Sequence, residues 1–397
     1  MKKYLITERP DLFEPDVYIS IVVTLRGENL KKEMISDAVN EAYQANEVTM
    51  SKIVLDGTGN SFYEKMDHSG CTVFTENQNW EELLRESEKN TFAIKEGELV
   101  RTYITGDEME YVLFIHAHHL AGDAKAVLIL LQDIFDAINK KKLFYKSLIL
   151  FDPGTLQKRA RLPWWVYQYT KRLNQKWKKW ESAAGWKEYD KIHEKYWSTH
   201  ETRLAVKNYL LHEIKEKCGD GITVNSLLVA ELLRENPSCK KTGIPVSIRD
   251  NVSMSNQTSG IEIAYSYQKN QTFEQNTRKV QRKIKTRLKN PRQKYFVLMF
   301  LAQLAPTLID AILLQVHGCV KNPIAQKAAE ALGYTGKRKR QLGVTNLGKI
   351  TFLNKENLFE IKDVLFIPPM VSYTKNVVGI SSFGDTLHIV KRSGEER

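Results

Sequence analysis

The sequence predicts an α/β fold built as two lobes, and three observations carry that expectation. The chain has 397 residues, more than a single compact core usually holds. Strand-like runs alternate with amphipathic helical stretches in both halves. Between the halves, six of the seven tryptophans crowd into 156–197, and Gln157 to Trp180 carries eight Lys/Arg and no acid. That segment reads as a connector. It leaves an N-terminal lobe at 1–155 and a C-terminal lobe at 198–397.

The elements follow in order. "VYISIVVTLRG" (Val17 to Gly27) is β-branched and predicts a strand. Met34, Ile35, Ala38 and Ala42 then recur at helical spacing. Short strands are expected around Lys52 to Leu55, Ser61 to Lys65 and Cys71 to Phe74, followed by a helix in "NWEELLRESEKNTFAIK". "LVRTYIT" and "EYVLFIHAH" form a strand pair across a turn with Gly106 and Asp107. A strong helix comes next, with Val127, Leu130, Leu131, Ile134 and Ile138 on one face. In the second half, "ITVNSLLVAELLREN" predicts a helix capped by Thr223 or Asn225. "TGIPVSIR" and "SGIEIAYSY" predict strands, two helical stretches follow, and "QLGVTNLG", "VVGISS" and "TLHIVKR" predict the last strands. The apolar run Tyr295 to Val320 holds Pro306, Asp310 and two glutamines, so it reads as a buried helix pair and not a membrane span.

The net charge is +12, which favours anionic partners: nucleotides, acidic carrier proteins, anionic lipid or nucleic acid. Cys71, Cys218, Cys239 and Cys319 are widely spaced and make no CxxC pair, as expected of reduced thiols in a cytoplasmic protein. The start, "MKKYLITERP", has no apolar core of a secretory signal.

"HAHHLAGD" (116 to 123) puts three of the nine histidines and an aspartate at a strand end and helix start. Four chemistries compete for it. A metal site would use His116, His118 and Asp123, but the helix offers no further ligand, and no bound metal is expected. A structural role suits His116, although several buried imidazoles need several partners. Nucleophilic catalysis lacks a GxSxG elbow or a cysteine in a nucleophile setting. A general base needs only one neutral imidazole facing a cavity, able to take a proton from an acceptor hydroxyl or amine.

"HHLAGD" resembles the HHxxxD core of the CoA-dependent acyltransferase superfamily, whose members include chloramphenicol acetyltransferase, condensation domains, alcohol acetyltransferases and polyketide-associated acyltransferases. "IPVSIRD" (Ile244 to Asp250) resembles that superfamily's strand ending in arginine. "VTNLGKI" (Val344 to Ile350) resembles its segment near the acyl tunnel, and "GISSFGDTLHI" (Gly379 to Ile389) an altered form of its late strand pair. "GITVNSLLVAELL" is similar to the first helix of its second lobe. The resemblance implies two chloramphenicol-acetyltransferase-like lobes, each a mixed sheet with helices, with an active-site tunnel at their interface. It implies transfer of an acyl group from a thioester, acyl-CoA or a phosphopantetheine-linked group on an acyl-carrier protein, to a hydroxyl or amine, without an acyl-enzyme. His119 would be the base, His118 would support it, and Asp123 would pair with Arg249. Thr345 and Asn346, or Ser381 and Ser382, would supply an oxyanion or tunnel contact. The family's glycine after the aspartate is replaced by Ala124. A non-catalytic, condensation-like recruitment protein is the alternative.

On a helix from Trp165 to Trp180, the residues Trp165, Val166, Tyr169, Leu173, Trp177 and Trp180 share an apolar arc, with basic residues opposite. Two readings stand: a helix packed on the protein, or an interfacial helix that places 157–197 on an anionic membrane. Arg278 to Lys294 adds nine basic residues and Lys337 to Arg340 adds four, but no nucleic-acid recognition motif accompanies them, so nucleic acid is not expected. The chain is expected to act as a monomer, cytoplasmic or peripheral at a membrane.

Overall fold

A computed structural model describes residues 2–353, 358–371 and 374–396. Its strands are β1 (Lys3–Tyr4), β2 (Tyr18–Arg26), β3 (Ser51–Leu55), β4 (Ser61–Lys65), β5 (Thr72–Thr75), β6 (Val100–Asp107) and β7 (Glu110–His118). In the second half they are β8 (His200–Leu210), β9 (Lys241–Ser247), β10 (Thr258–Ala264), β11 (Leu342–Lys349), β12 (Glu360–Ile367), β13 (Asn376–Phe383) and β14 (Thr386–Glu396). Helices lie between them, so the chain is a mixed α/β protein as the sequence predicts.

Two mixed sheets organise it. The first runs β12-β2-β7-β6-β5 and the second β10-β9-β11-β13-β14-β8, with a small sheet β1-β4-β3 alongside. β2 and β7 are buried on both faces, which is why they read as nearly continuous apolar runs. The helix Ala124–Ile138 covers the first sheet with the predicted residues Val127, Leu130, Leu131, Ile134 and Ile138. Thr223 caps the helix Val224–Glu235, its hydroxyl accepting from the Ser226 N–H.

One strand crosses between the sheets. β12 leaves the second half of the chain and pairs antiparallel with β2, Phe366 opposite Ile21. It escaped the sequence reading because "EIKDVLFI" begins with charged, half-exposed positions. β8 escaped for a related reason: it is a mostly exposed edge strand without clean alternation, with Glu201, Arg203 and Lys207 on it, charges of the kind that protect an edge.

The run Tyr295 to Val320 folds as two short helices, Phe296–Leu301 and Pro306–Val316, the second opened by proline. Both join the core beneath the first sheet. Asp310, the charge within the run, is buried and receives Arg9, whose Nε donates to Oδ1 at 2.6 Å. No described helix is long and apolar enough to cross a membrane.

The basic segment is helical at Pro153–Arg159, Trp164–Trp177 and Trp186–Thr199. The middle helix packs through Val166, Thr170, Leu173 and Trp177. Trp177 Nε1 donates to Thr307 Oγ1 at 2.9 Å. The packed arc is narrower than the one drawn from the sequence, because Trp165 and Trp180 face outward.

Candidate active site

The HHLAGD turn is built from its backbone outward. β7 ends at His118, His119–Ala121 make one turn of 3-10 helix, and Asp123 caps the next helix by accepting from the Ala126 N–H at 2.9 Å. Gly122 between them holds φ at +138°, and a Cβ there would meet Ala126 Cβ at 2.5 Å and the Ser255 backbone at 3.2 Å. Only glycine lets the turn pass so close to the loop from the other lobe. Tyr63 Oη donates to the Leu120 carbonyl at 2.8 Å, fixing the turn from the far side.

The three histidines have different fates. His116 is buried, its Nδ1 2.8 Å from Ser20 Oγ, among the rings of Tyr18, Phe92 and Phe114. His118 is buried beside it, its Nδ1 accepting from the Leu120 N–H at 3.1 Å. Burial, reinforced by neighbouring cations, pushes both imidazoles well below the usual histidine range, so both are neutral. His119 points elsewhere and lines a cavity of about 810 Å³. The wall comes from both halves: Val17 and Ile19 of the first sheet, Ile244, Ile261 and Val344 of the second, and Phe296 and Leu301 from the helix between. Lys125, Lys241, Arg287, Arg292 and Arg340 give it basic edges.

Asp123 holds the halves together at this point. Arg249 Nη2 donates to its Oδ1 at 2.8 Å, while Oδ2 accepts from the Gln257 N–H at 2.9 Å and Thr258 Oγ1 at 3.0 Å. Arg249 also donates to the carbonyls of Ser253 and Ser255. The loop 249–258 is thereby anchored to the motif, and it delivers Asn256 to His119. Asn256 Nδ2 lies 3.1 Å from His119 Nδ1 and 3.2 Å from Asp11 Oδ2, and Asn256 Oδ1 accepts from the Thr258 N–H at 3.2 Å. Asp11 Oδ2 is itself 3.6 Å from His119 Nδ1. Burial pushes the Asp11 carboxyl above its usual range, against the opposing pull of His119 and the Asn256 amide.

Neither Asp11 nor Asn256 had a signal in the sequence. They come from "ERPDLFEPD", a one-turn helix at Arg9–Leu12, and "SMSNQTSG", a loop; neither has motif spacing, and only the closed fold brings them to the ring. The other expected residues divide. Thr345 and Asn346 line the cavity, but the Asn346 amide is engaged, donating to Asn225 Oδ1 at 3.1 Å and accepting from the Gly348 N–H at 2.7 Å. Ser381 and Ser382 are buried on β13 and are not among the cavity-lining residues. Ala124, in place of the family's glycine, adds its methyl to the cavity wall.

The arrangement of the two mixed sheets agrees with solved structures. Polyketide synthase associated protein 5 from Mycobacterium tuberculosis superposes with a TM-score of 0.62 at 13% identity, over 99% of this chain and 92% of that one. The fold is that of condensation domains and CoA-dependent acyltransferases. TRI3 trichothecene 15-O-acetyltransferase from Fusarium sporotrichioides gives 0.60 at 12% identity, over 99% and 90%. A variant of the starter condensation domain of rhizomide synthetase RzmA, in complex with C8-CoA and Leu-SNAC, gives 0.60 at 8%, over 99% and 88%. No protein-family model matches the chain, and no curated protein matches it in sequence. In this acyltransferase and condensation-type fold, the similarity is one of architecture, and the chemistry has to be argued from the residues.

Proposed function

We propose that the protein transfers an acyl group from a thioester, acyl-CoA or a phosphopantetheine-bound acyl group, to a hydroxyl or amine acceptor. One observation carries this: His119 is the histidine of the cluster that lines the inter-lobe cavity, while His116 and His118 are sealed in the core. With its proton on Nδ1, directed at Asp11 Oδ2 3.6 Å away, the ring would keep the Nε2 lone pair for the acceptor. In the proposed reaction Nε2 takes the acceptor's proton as its oxygen or nitrogen bonds to the thioester carbonyl carbon. The tetrahedral oxyanion collapses, the C–S bond breaks, and the departing thiolate takes the proton back from the imidazolium. Thr345, on the cavity wall, is the side chain we assign to donate to the oxyanion. The apolar wall suits an acyl chain, and the basic edges suit the phosphates of coenzyme A or of phosphopantetheine.

A second reading has its own support. With Asn256 Oδ1 committed to the Thr258 N–H, the amide N–H faces Nδ1. A neutral His119 then carries its proton on Nε2, where it donates and does not accept. A ring held so would bind a carbonyl or carboxylate, as a non-catalytic recruitment protein could. Mass spectrometry separates the two after incubation with a panel of acyl-CoAs and mixed alcohol, amine and lipid acceptors. Acyl transfer is expected with the native chain, reduced about 10²-fold or more in His119→Ala. Ligand binding without any acylated product would establish the recruitment reading instead.

A further inference from the structure

The outward face of the connector is the second feature that the fold leaves without a partner. Trp164 and Trp165 are 76% and 64% exposed, and Tyr167 beside them is also exposed. They stand at the start of a helix whose opposite face is packed through Val166, Thr170, Leu173 and Trp177. Two adjacent tryptophans in water are costly apolar surface in a chain that has ample core to bury them. They also adjoin the cavity, since Pro163, the residue before them, is part of its wall.

Positive charge surrounds the same place. A surface depression of about 450 Å³ is lined by Ala160, Arg161, Asn290, Pro291 and Arg292. Asn290 and Arg292 belong to the cavity lining as well, so the depression adjoins the cavity. From Gln157 to Trp180 there are eight Lys/Arg and no acid. Exposed indoles flanked by arginine and lysine, with no acid among them, complement one surface in particular: the headgroup layer of an anionic bilayer, where indoles settle and basic residues meet phosphate.

We propose that Trp164, Trp165 and Arg161 dock this protein on the surface of a bilayer rich in anionic phospholipid, with the cavity mouth against the membrane. An amphiphilic substrate would then enter from the lipid phase without crossing water. This docking goes beyond the acyl-transfer reading and does not depend on it.

The test is co-sedimentation of the full chain with phosphatidylcholine vesicles with and without phosphatidylserine, followed by indole quenching with brominated lipid. The native protein is expected to bind the anionic vesicles only, less at high salt, with blue-shifted, quenched indole emission. W164A/W165A should bind at least tenfold more weakly, and Arg161→Gln roughly fivefold more weakly, the usual contribution of one basic residue at such a surface. Unchanged circular dichroism and melting would show that the exposed side chains were not needed for folding. His119→Ala should bind as the native protein does, so a failed catalytic assignment leaves this result standing. Native protein that ignores anionic vesicles, or a W164A/W165A variant that binds them normally, overturns the proposal. Retention on an immobilised acidic acyl-carrier protein, lost in W164A/W165A and without vesicle binding, overturns it in favour of a protein partner.

Discussion

The amide nitrogen of Asn256 lies 3.1 Å from Nδ1 of His119, although the two residues are 137 positions apart and belong to different halves of the chain. The contact exists because Asp123 grips the loop between Arg249 and Thr258 through its two carboxylate oxygens. The aspartate of the motif therefore acts on the base at a distance, through a loop.

That arrangement predicts what Asp123→Ala would do. Arg249 would lose its carboxylate while remaining half-buried, and the Gln257 N–H would lose its acceptor. Breaking such a pair costs about 3–5 kcal/mol where it is buried. The melting temperature should fall, and the acylation rate should fall with it as Asn256 drifts from the ring. Arg249→Lys should lose only part of each, since an ammonium keeps the charge opposite Asp123 but not the fork of donors. Denaturant unfolding and turnover measured side by side check this; a variant that keeps full stability would remove Asp123 from the role.

Asp11 separates stability from chemistry. Its carboxyl is pushed up by burial, so its folded pKa lies above the unfolded one. Such a group favours folding at low pH and costs stability once pH rises through the folded value. Asp11→Asn should therefore melt higher than the native protein at neutral pH. The same change removes the negative charge 3.6 Å from His119 Nδ1, where an imidazolium would form in the proposed reaction. That interaction is worth about 1 kcal/mol even at the dielectric of water, so kcat should drop about fivefold or more. A higher melting temperature with lower kcat is the expected pair. Loss of both, or of neither, would place Asp11 outside the site's electrostatics.

These two residues also mark where sequence reasoning ends. The strands β2, β6 and β7 and the helix Ala124–Ile138 were legible because their burial is local and periodic. His119, Asp123 and Arg249 were legible because a motif and a strand end announced them. Asp11 lies on a one-turn helix and Asn256 in a loop, and the partners of such short segments are set by the closure of two lobes rather than by spacing. β12 was missed for the same reason: its apolar half is needed only because it completes a sheet begun more than 300 residues earlier.

Glu8 offers a pH signature of the same region. Burial pushes its carboxyl up to about 7, with Thr7 Oγ1 donating to Oε1 at 2.8 Å and the Asp11 charge adding to the rise. The stability tied to its protonated form is complete below the unfolded pKa and is lost as pH rises through about 7. Glu8→Gln cannot ionise, so it should match the native protein near pH 5 and exceed it near pH 8, by no more than about 3 kcal/mol. Melting curves across that window test it. A difference independent of pH would mean that Glu8 is not titrating there.

The last prediction concerns the joint between the sheets. Arg392 of β14 is buried; its Nη2 donates to Glu88 Oε1 at 2.6 Å and Asp16 Oδ1 at 3.3 Å, and its Nη1 donates to the Pro368 carbonyl at 3.0 Å. Asp16 precedes β2 and Glu88 ends a helix over the first sheet, so one guanidinium ties the second sheet to the first. Burial already pushes the Asp16 carboxyl upward, with Arg392 opposing it. Arg392→Met fills the space but leaves two carboxylates in the interior without their cation. The expected loss is about 3–5 kcal/mol at neutral pH. It should shrink toward pH 5, because the Asp16 carboxyl, pushed up by burial and no longer opposed by Arg392, can then take up a proton and shed the charge that the cation had balanced. Urea unfolding at the two pH values reads this directly. A deficit that stays constant with pH would show that the side chain's packing, and not its charge, joins the sheets.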